Sequence, residues 1–379
     1  MKKISYLVLL TLVLLFSSGC SQDGGDNAEP PLSGECQWKV FGMSPSHSFS
    51  VHSACGPKTN DLIKRWSFKT NGAIISAPVF DGNQAFFGSY DKNLYCVDIQ
   101  DGKEVWKFYA DSFVGSPAVS QGIVCAPAER KLICLETSTG NVKWTFQSIG
   151  NFTAPTISDS KIFVASLDKK IYCLDENTGE HIWEFESGGS IGSSVAVENK
   201  RVYFGSNDGK VYCLDATNGN EMWTYATGGP VISSPTVIGS NLYIGSFDDN
   251  IYCLEAFTGK EIWKHVTGSD VISTPSVYLN KVLVGSNDGN IYCLEADTGE
   301  ECWTFDTGLW VPISSSPAIS GTRVYIGSAD KNVYCLDIQT GKNLWSYATN
   351  DRILSSPAIY KNQVFIGALD KNFYCFSDR

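Results

Sequence analysis

The sequence predicts an all-β fold, an eight-bladed β-propeller of four-stranded antiparallel blades. Two residue types recur eight times at intervals of about 40 residues, which is the size of one blade. The first is a tryptophan, found at Trp66, Trp106, Trp144, Trp183, Trp223, Trp263, Trp303 and Trp345. The second is a cysteine, found at Cys96, Cys134, Cys173, Cys213, Cys253, Cys293, Cys335 and Cys375. Gly and Asp punctuate the intervals without helical periodicity, so each unit is expected to form four short strands.

One repeat unit shows how the strands are assigned. The predicted strands run from Val231 to Val237, from Asn241 to Gly245, from Asn250 to Leu254 and from Glu261 to Val266. Gly and Asp residues between them supply the positive φ angles that tight hairpins need. Apolar residues occur on both faces of these strands, so each blade must be covered by its neighbours.

The two ends of the chain are incomplete when taken separately. The repeats begin with an outer strand from Leu62 to Phe68 and end after a third strand from Asn372 to Phe376. We therefore predict that the N-terminal strand completes the last blade, which removes two open sheet edges. Residues 34–379 are expected to form this one propeller domain, with the stretch before Leu62 irregular.

The N-terminus has the features of an export signal. Met1 to Gly19 begins with two lysines and contains an apolar run from Leu7 to Phe16, too short for a membrane span of ~20 residues. Gly19-Cys20 resembles the bacterial lipobox, in which the cysteine is lipidated, although Ser17 stands where leucine is usual. A plain secretory signal cleaved near Gly19 is the alternative. Residues 20–33 are almost free of apolar side chains and are interpreted as a lipidated, flexible tether.

The repeat unit resembles the PQQ-type (quinoprotein) propeller repeat. The residues that carry the resemblance are Ser234-Pro235, Gly245-Ser246, Tyr252, Leu254, Thr258-Gly259 and Trp263, with matching sets in the other blades. The resemblance covers about residues 62–376 and implies that the eight recurring tryptophans dock between adjacent blades. It does not imply one activity, because one fold supports many functions.

The resemblance suggests PQQ as a cofactor by fold analogy only. Quinoprotein dehydrogenases, which share this fold, are longer, place a vicinal Cys-Cys disulfide over the cofactor and use an Asp beside a calcium ion. This sequence has no adjacent cysteines and no C-x-x-C-H haem site. We therefore expect no cofactor and no catalytic residue.

No metal site is predicted either. The four histidines, His47, His52, His181 and His265, are scattered along the chain and are interpreted as surface or interblade polar residues. Acidic turns such as Asp208-Gly209 do not match the spaced ligands of a calcium loop, and hairpin chemistry explains them.

The chain contains 13 cysteines. The eight that recur occupy equivalent positions in different blades, so they are expected to be small buried core residues that cannot converge on one metal. Counting outward from the hairpin turns places two further pairs opposite each other on adjacent strands, and loops can adapt to a third pair. The candidate disulfides are Cys36 with Cys55, Cys125 with Cys134, and Cys293 with Cys302.

Charge limits the choice of partners. The net charge is −11 and becomes −13 when Met1 to Gly19, which carries two lysines and no acid, is removed. This excludes nucleic acid as an expected partner and excludes adhesion to an anionic membrane by charge.

Two classes of function remain. The resemblance and the export signal favour a noncatalytic scaffold that binds other envelope proteins, similar to the outer-membrane protein assembly lipoproteins. Ser21 after the lipid-accepting cysteine implies an outer-membrane location facing the periplasm, and secretion or the cell surface is the alternative. The second class is a propeller that binds or senses a small molecule or a carbohydrate. A PQQ-dependent oxidoreductase ranks third.

Function should lie where one blade departs from the others. The longest interval, from Trp303 to Trp345, enlarges the loop of residues 307–312 and adds Trp310, which lies outside the recurring series. We expect this loop and its equivalents to rim a funnel on the axis. The candidate binding residues are Trp310, Phe113, Phe152, Asp270, Asp351 and Arg352. Trp310 has two interpretations, a binding hot spot or a cover over the end of the core.

Overall fold

The structure is a computed structural model that describes residues 37–308 and 310–379. Eight four-stranded antiparallel sheets form the blades of a propeller, so the predicted all-β, eight-bladed fold is confirmed. Within the described ranges the only helical element is the 3₁₀ turn Ser53–Cys55. None of the described residues belongs to a helix with the length and apolar character that a membrane crossing requires.

We number the blades 1 to 8 by the order of their inner strands. The inner strands are Val79–Asp81, Ala118–Ser120, Thr156–Ser158, Ala196–Glu198, Thr236–Ile238, Ser276–Tyr278, Ala318–Ser320 and Ala358–Tyr360. The second strands are Gln84–Gly88, Ile123–Ala128, Lys161–Ala165, Arg201–Ser206, Asn241–Gly245, Lys281–Gly285, Arg323–Gly327 and Gln363–Gly367. The third strands are Asn93–Asp98, Lys131–Glu136, Lys170–Asp175, Lys210–Asp215, Asn250–Glu255, Asn290–Glu295, Asn332–Asp337 and Asn372–Asp378. The outer strands are Glu104–Tyr109, Val142–Gln147, His181–Glu186, Glu221–Ala226, Glu261–Val266, Glu301–Asp306, Asn343–Ala348 and, for blade 8, Leu62–Lys69.

The ring closes through the N-terminal strand, as predicted. Leu62–Lys69 pairs antiparallel with Asn372–Asp378, and Trp66 is the register partner of Cys375. The first outer strand therefore completes the last blade and leaves neither edge of that blade unpaired.

The inner strands are shorter than the sequence suggested. In blade 5 the strand is Thr236–Ile238, whereas the prediction began at Val231. Pro235 has no N–H for a strand ladder, and the N–H of Val231 donates to Ser206 O of blade 4 at 3.0 Å. Residues 231–235 thus form an approach segment that links two blades before the strand begins.

A serine in the approach segment fixes it to the second strand. In six of the described blades its Oγ accepts the N–H of a glycine 12 residues later: Ser76 with Gly88, Ser193 with Gly205, Ser233 with Gly245, Ser273 with Gly285, Ser315 with Gly327 and Ser355 with Gly367. A Cβ on Gly245 would lie 2.3 Å from Cγ1 of Val271 in the next blade. Glycine is therefore required where adjacent blades approach most closely.

The recurring tryptophans join neighbouring blades. Each indole N–H donates to a backbone carbonyl of the following blade at 2.8 to 3.2 Å: Trp66 to Ile99, Trp106 to Thr137, Trp144 to Glu176, Trp183 to Ala216, Trp223 to Ala256, Trp263 to Ala296, Trp303 to Ile338 and Trp345 to Leu62. Beneath Trp223 lies Gly259, whose φ is +74° and whose added Cβ would lie 2.5 Å from the indole Cε3. This turn glycine therefore provides both a left-handed turn and a flat surface for the ring.

The N-terminal stretch of residues 37–55, here called the axial segment, lies against the inner strands. Its carbonyl groups accept the N–H of the central residue of five inner strands: Phe80 to Trp38, Val119 to Lys39, Val197 to Pro45, Val237 to Ser46 and Ile319 to Phe49. Ser50–Val51 then adds a short strand parallel to Ala318–Ser320. The axial segment thereby satisfies inner-edge N–H groups that a bare propeller would leave open.

The histidine prediction needs one correction. His47 lies in the axial segment with no exposed surface, and its Nδ1 is 3.0 Å from Pro235 O. It is therefore neither a surface nor an interblade residue, because the axial segment carries it into the centre of the ring. His52 Nδ1 accepts the N–H of Ala54 and caps the 3₁₀ turn. His181 and His265 lie on outer strands.

The cysteine predictions have three outcomes. Cys125 and Cys134 are register partners and form a disulfide with a Cα–Cα distance of 4.0 Å. Cys293 and Cys302 are not opposite each other, because a β-bulge makes Trp303 the partner of Cys293. Cys36, like the predicted signal peptide and the predicted tether with Cys20, lies outside the described residues, so its pairing with Cys55 stays a prediction.

Candidate functional site

A funnel opens on the axis where the approach segments of all eight blades converge. It has a volume of about 290 Å³, and Phe41 of the axial segment is among the residues that line it. Each approach segment contributes one residue to a ring around the funnel. This residue stands just before the proline that precedes the inner strand, or at the equivalent position where the proline is absent. In six blades that residue carries a hydroxyl: Ser116, Ser194, Ser234, Thr274, Ser316 and Ser356, with Ala77 and Ala154 at the other two positions.

The hydroxyl ring links the blades to one another. Oγ of Ser234 accepts the N–H of Ser194 at 2.9 Å, and Oγ of Ser316 accepts the N–H of Thr274 at 3.0 Å. Ser356 does the same for Ser316 at 2.9 Å. A hydroxyl that accepts one such bond still has a hydrogen to donate. The ring can therefore offer hydroxyl donors to a ligand in the funnel.

The funnel does not fit PQQ. PQQ is a quinone with three carboxylates, and a buried carboxylate needs cations or several strong hydrogen bonds. Among the described residues that line the funnel, none is charged. Across residues 37–308 and 310–379, no three His, Cys, Asp or Glu side chains are grouped so as to hold a metal ion. Serine and threonine hydroxyls with Ile75, Ile272 and Leu354 suit a neutral ligand instead.

Trp310 is one of the predicted binding residues that are strongly exposed. Its side chain is 69% exposed, and its N–H lies 3.3 Å from Asp288 O of blade 6. An indole this exposed is poorly suited to cover the core, so the geometry favours the binding interpretation of this residue.

The other predicted residues separate into three groups. Phe113 stacks on Tyr90 with ring centroids 4.3 Å apart, and half of the Tyr90 side chain is exposed. Phe152 is among the residues that line the funnel, and it is only 8% exposed because it also packs with Phe146 and Tyr172. The charged residues Asp270, Asp351 and Arg352 lie in approach loops; the first two are partly exposed and Arg352 is exposed.

Sequence reasoning missed further apolar residues beside these loops. Ile149 is 82% exposed in an approach loop, and Tyr90 and Leu167 are about half exposed in the hairpins between second and third strands. A signal was present: Tyr90 and Leu167 follow the hairpin serine at the position where blades 4 and 6 have asparagine. We call the five residues Tyr90, Phe113, Ile149, Leu167 and Trp310 the rim.

An aspartate and a tyrosine hold the hairpins of seven blades. The tyrosine hydroxyl donates to the carboxylate at 2.5 to 2.9 Å: Tyr95 to Asp91, Tyr172 to Asp168, Tyr212 to Asp208, Tyr252 to Asp248, Tyr292 to Asp288, Tyr334 to Asp330 and Tyr374 to Asp370. In blade 5 the carboxylate of Asp248 also accepts the N–H of Gly228 in the approach loop. The pair therefore fixes hairpin and approach loop together beside the funnel.

The pKa values follow from these contacts. Burial by itself would raise the pKa of Asp248, but the hydrogen bonds from Tyr252, Asn250 and Gly228 outweigh it and hold that pKa below its ordinary value. Burial and the bond to Asp208 raise the pKa of Tyr212 to about 12. The aspartates thus act as hydrogen-bond acceptors of the hairpins, which explains the acidic turns without a bound calcium ion.

Comparison with known families identifies two matching models. The model described as "Beta-alanine-activating enzyme, beta-propeller" matches residues 158–379, more than half of the chain. The model described as "Outer membrane protein assembly factor BamB" matches residues 31–165. Among curated proteins, tetrathionate hydrolase of Acidithiobacillus ferrooxidans is 30% identical over 83 residues. That match spans 21% of this chain and only 17% of the hydrolase.

Solved structures share the fold at low sequence identity. BamB from Moraxella catarrhalis superposes with a TM-score of 0.72 at 20% identity, covering 83% of this chain and 99% of that one. The quinohemoprotein alcohol dehydrogenase from Comamonas testosteroni gives a TM-score of 0.77 at 12% identity, covering 90% and 80%. A fold shared by an assembly factor and a dehydrogenase does not by itself fix an activity.

The repeats, the closed ring and the family match agree. The chain belongs to the β-propeller family described as "Beta-alanine-activating enzyme, beta-propeller", and it is an eight-bladed PQQ-like repeat protein that resembles BamB.

Proposed function

We propose that the chain is a noncatalytic scaffold of the cell envelope that binds partner proteins through the rim around its funnel. The observation that carries the proposal is the exposure of large apolar side chains there: Trp310, Ile149, Tyr90 and Leu167, with Phe113 stacked on Tyr90. Aromatic residues with exposed apolar neighbours are typical of protein-binding surfaces.

The support for the cell envelope comes from the sequence and from the relatives. Met1 to Gly19 has the features of a signal peptide, and Cys20 is the candidate for lipidation with residues 20–33 as the tether. The match to an outer-membrane protein assembly factor supports an outer-membrane-associated, periplasmic location with partners among the envelope proteins. The net negative charge argues against nucleic acid as a partner.

The rigid hairpins support the same proposal. A binding surface loses less conformational entropy on association when its loops are already ordered. Seven hairpins on the funnel face are held by Asp–Tyr hydrogen bonds, and the approach loops are joined to them by backbone bonds such as Leu369 N–H to Arg352 O at 2.9 Å. The rim residues therefore project from a fixed frame.

The test is the double variant Trp310→Ala with Arg352→Ala in the full chain, purified from membranes with its bound proteins. We expect loss of captured partner with an unchanged melting temperature, because both side chains are exposed. Ile262→Ala is the matched control: this residue is 46% exposed on an outer strand, next to Trp263 and away from the rim. Stability lost in proportion to capture would instead make Trp310 a structural cover and contradict the proposal.

A second candidate function rests on the funnel itself. Its volume of about 290 Å³, its uncharged lining and its hydroxyl ring suit a small neutral ligand such as a carbohydrate. Under this alternative, Trp310→Ala would leave ligand binding intact, whereas Thr274→Val, which removes a funnel hydroxyl and keeps the side-chain shape, would weaken it. Calorimetric titration with neutral saccharides separates the two candidates.

A further inference from the structure

Blade 6 contains a cluster of three reactive side chains away from the rim. Lys281 begins the second strand and forms an ion pair with Glu295, its register partner at the end of the third strand. Cys302, at the start of the outer strand, has its Sγ 3.3 Å from Lys281 Nζ and 3.3 Å from Glu295 Oε1. An amine, a thiol and a carboxylate therefore meet within hydrogen-bond distance.

A β-bulge brings the thiol into this cluster. Cys293 pairs with Trp303 and Leu294 pairs with Glu301, which leaves Cys302 as the extra residue of the outer strand. Its side chain reaches the Lys281–Glu295 pair for this reason, although it lies next to a docking tryptophan in sequence.

The other blades show that the fold does not need this thiol. The residue before the docking tryptophan is Val105, Lys143, Ile182, Met222, Ile262, Leu344 or Arg65 elsewhere. Blade 3 keeps an equivalent lysine and acid, since Lys161 and Asp175 are register partners, but Ile182 stands in place of the cysteine. The cluster is thus a departure of one blade from the common pattern.

We propose that Cys302 is a redox modification site, at which a hydroperoxide oxidises the thiol and the Lys281 amine captures the product as a lysine–cysteine sulfenamide crosslink. Cys302 is partly exposed, so a small oxidant can reach it. The Cys302 thiol donates to Glu295 Oε1, which offers an acceptor for its proton, and the Lys281 ammonium group stabilises the thiolate, the reactive form, once that proton has moved. The recurring cysteines differ, because burial raises the pKa of the Cys173, Cys213 and Cys253 thiols to about 12.

The chemistry balances in two steps. In the first, Glu295 takes the thiol proton, the sulfur attacks one peroxide oxygen and is oxidised to a sulfenic acid, the O–O bond breaks, and the second oxygen takes that proton back from Glu295 and leaves as water or an alcohol. In the second, the amine nitrogen attacks the sulfur, the S–O bond breaks, and the oxygen leaves as water. Glu295 accepts the proton that the nitrogen must lose, and the crosslinked product has lost two hydrogens.

The electrostatics favour this order of events. Burial would lower the pKa of Lys281, but its hydrogen bonds with Glu295 and Cys302 raise it, so the amine is a cation beside the sulfur. Oxidation converts the thiolate into a neutral sulfenic acid and removes one of the groups that raise this pKa. The amine is then more easily deprotonated, with the Glu295 carboxylate in contact with it.

The crosslink would join the second strand of blade 6 to its outer strand across the third. That outer strand, Glu301–Asp306, leads directly into the loop that carries Trp310. Because thiols cleave sulfenamides, the modification is reversible.

The test uses the full chain, reduced and then treated with hydrogen peroxide. Proteolysis without reductant, followed by mass spectrometry, should give a joined peptide that contains Lys281 and Cys302, lighter by two hydrogens than its parts and separated again by dithiothreitol. Cys302 should react at least about tenfold faster than Cys253, the internal control buried in blade 5. Lys281→Arg keeps the ion pair but has no nucleophilic amine, so it should accumulate sulfenic acid that dimedone traps.

Three results would overturn the proposal. In the first, Cys302 of the unaltered chain proceeds to sulfinic acid and no joined peptide forms. In the second, a peptide that joins residue 281 to Cys302 also forms in Lys281→Arg. Reaction of Cys302 no faster than that of Cys253 would equally remove the basis for a redox site. Circular dichroism of each variant establishes that the result is read on folded protein.

Discussion

His47 is an ionisable residue that the fold buries completely. It has no exposed surface and a φ of +59°, and among the described residues its Nε2 has no hydrogen-bond partner. Burial lowers its pKa from 6.5 to about 4, partly opposed by the bond to Pro235 O. A neutral imidazole is therefore required for the axial segment to pack as it does, and folding becomes sensitive to pH at this point.

We predict that His47 makes the protein less stable in mild acid. Its folded pKa is below its unfolded value, so the unfolded chain binds more protons between pH 6.5 and about 4. Above pH 6.5 the neutral His47 does not lower the free energy of unfolding. As the pH falls from 6.5 towards 4, this free energy decreases by a total of about 3 kcal/mol for a pKa shift of this size. His47→Asn, which tolerates the positive φ, should remove this part of the slope in urea unfolding measured across the range. Equal slopes for both proteins would show that His47 is solvated or charged in the folded state.

At the scale of the element, the blade joint repeats one construction. Trp263 is 8% exposed, its indole N–H donates to Ala296 O at 2.9 Å, and Gly299 lies against its ring. A blade whose faces are apolar gains most of its stability from such contacts with its neighbours, because a single small sheet is marginal in water.

Trp263→Ala should therefore lower the free energy of unfolding by about 3 to 5 kcal/mol, as expected when a well-packed aromatic site is emptied. Trp310→Ala is the matched control, since it removes the same side chain from an exposed loop and should change stability by less than about 0.5 kcal/mol. Denaturant unfolding of both variants measures the difference. Similar losses for the two would mean that the recurring tryptophans do not carry the joints.

At the scale of the whole molecule, stability depends on closing the ring. Leu62–Lys69 is far from Asn372–Asp378 in sequence, yet the two strands pair along their full length. Trp345 of blade 7 also donates to Leu62 O, so the same strand holds the next joint. The axial segment then joins blades 1, 2, 4, 5 and 7 through backbone bonds at the centre.

Deletion of residues 60–70 should open this ring. It removes the outer strand of blade 8 and exposes the edge of Asn372–Asp378, so we expect aggregation or a broad, weakly cooperative thermal transition. Light scattering and calorimetry measure both outcomes. A soluble, monomeric deletion variant with unchanged melting would refute closure by this strand.

The features that could be predicted from the sequence are mainly those that recur from blade to blade. The blades and the closing strand could be predicted because Trp and Cys mark equivalent positions in every blade, although the inner strands were predicted too long. The Cys125–Cys134 pair could be predicted by counting outward from the hairpin turn. The axial segment could not, since it occurs once and binds through backbone carbonyls that any sequence provides. The pairing of Cys302 with Cys293 was wrong because a bulge shifts the register by one residue. The burial of Phe152, which lines the funnel, could not be read from the sequence because it depends on packing against Phe146 and Tyr172.

The most direct test of the account is to map which surface contacts partners in the cell. A photo-reactive phenylalanine analogue placed at Trp310, Ile149 or, as control, Ile262 would be activated by light in intact cells, and crosslinked products would be identified by mass spectrometry. The account predicts the same envelope protein crosslinked from Trp310 and from Ile149, and none from Ile262. Crosslinks that arise equally from Ile262, or from Ile262 alone, would contradict the assignment of the rim as the binding surface.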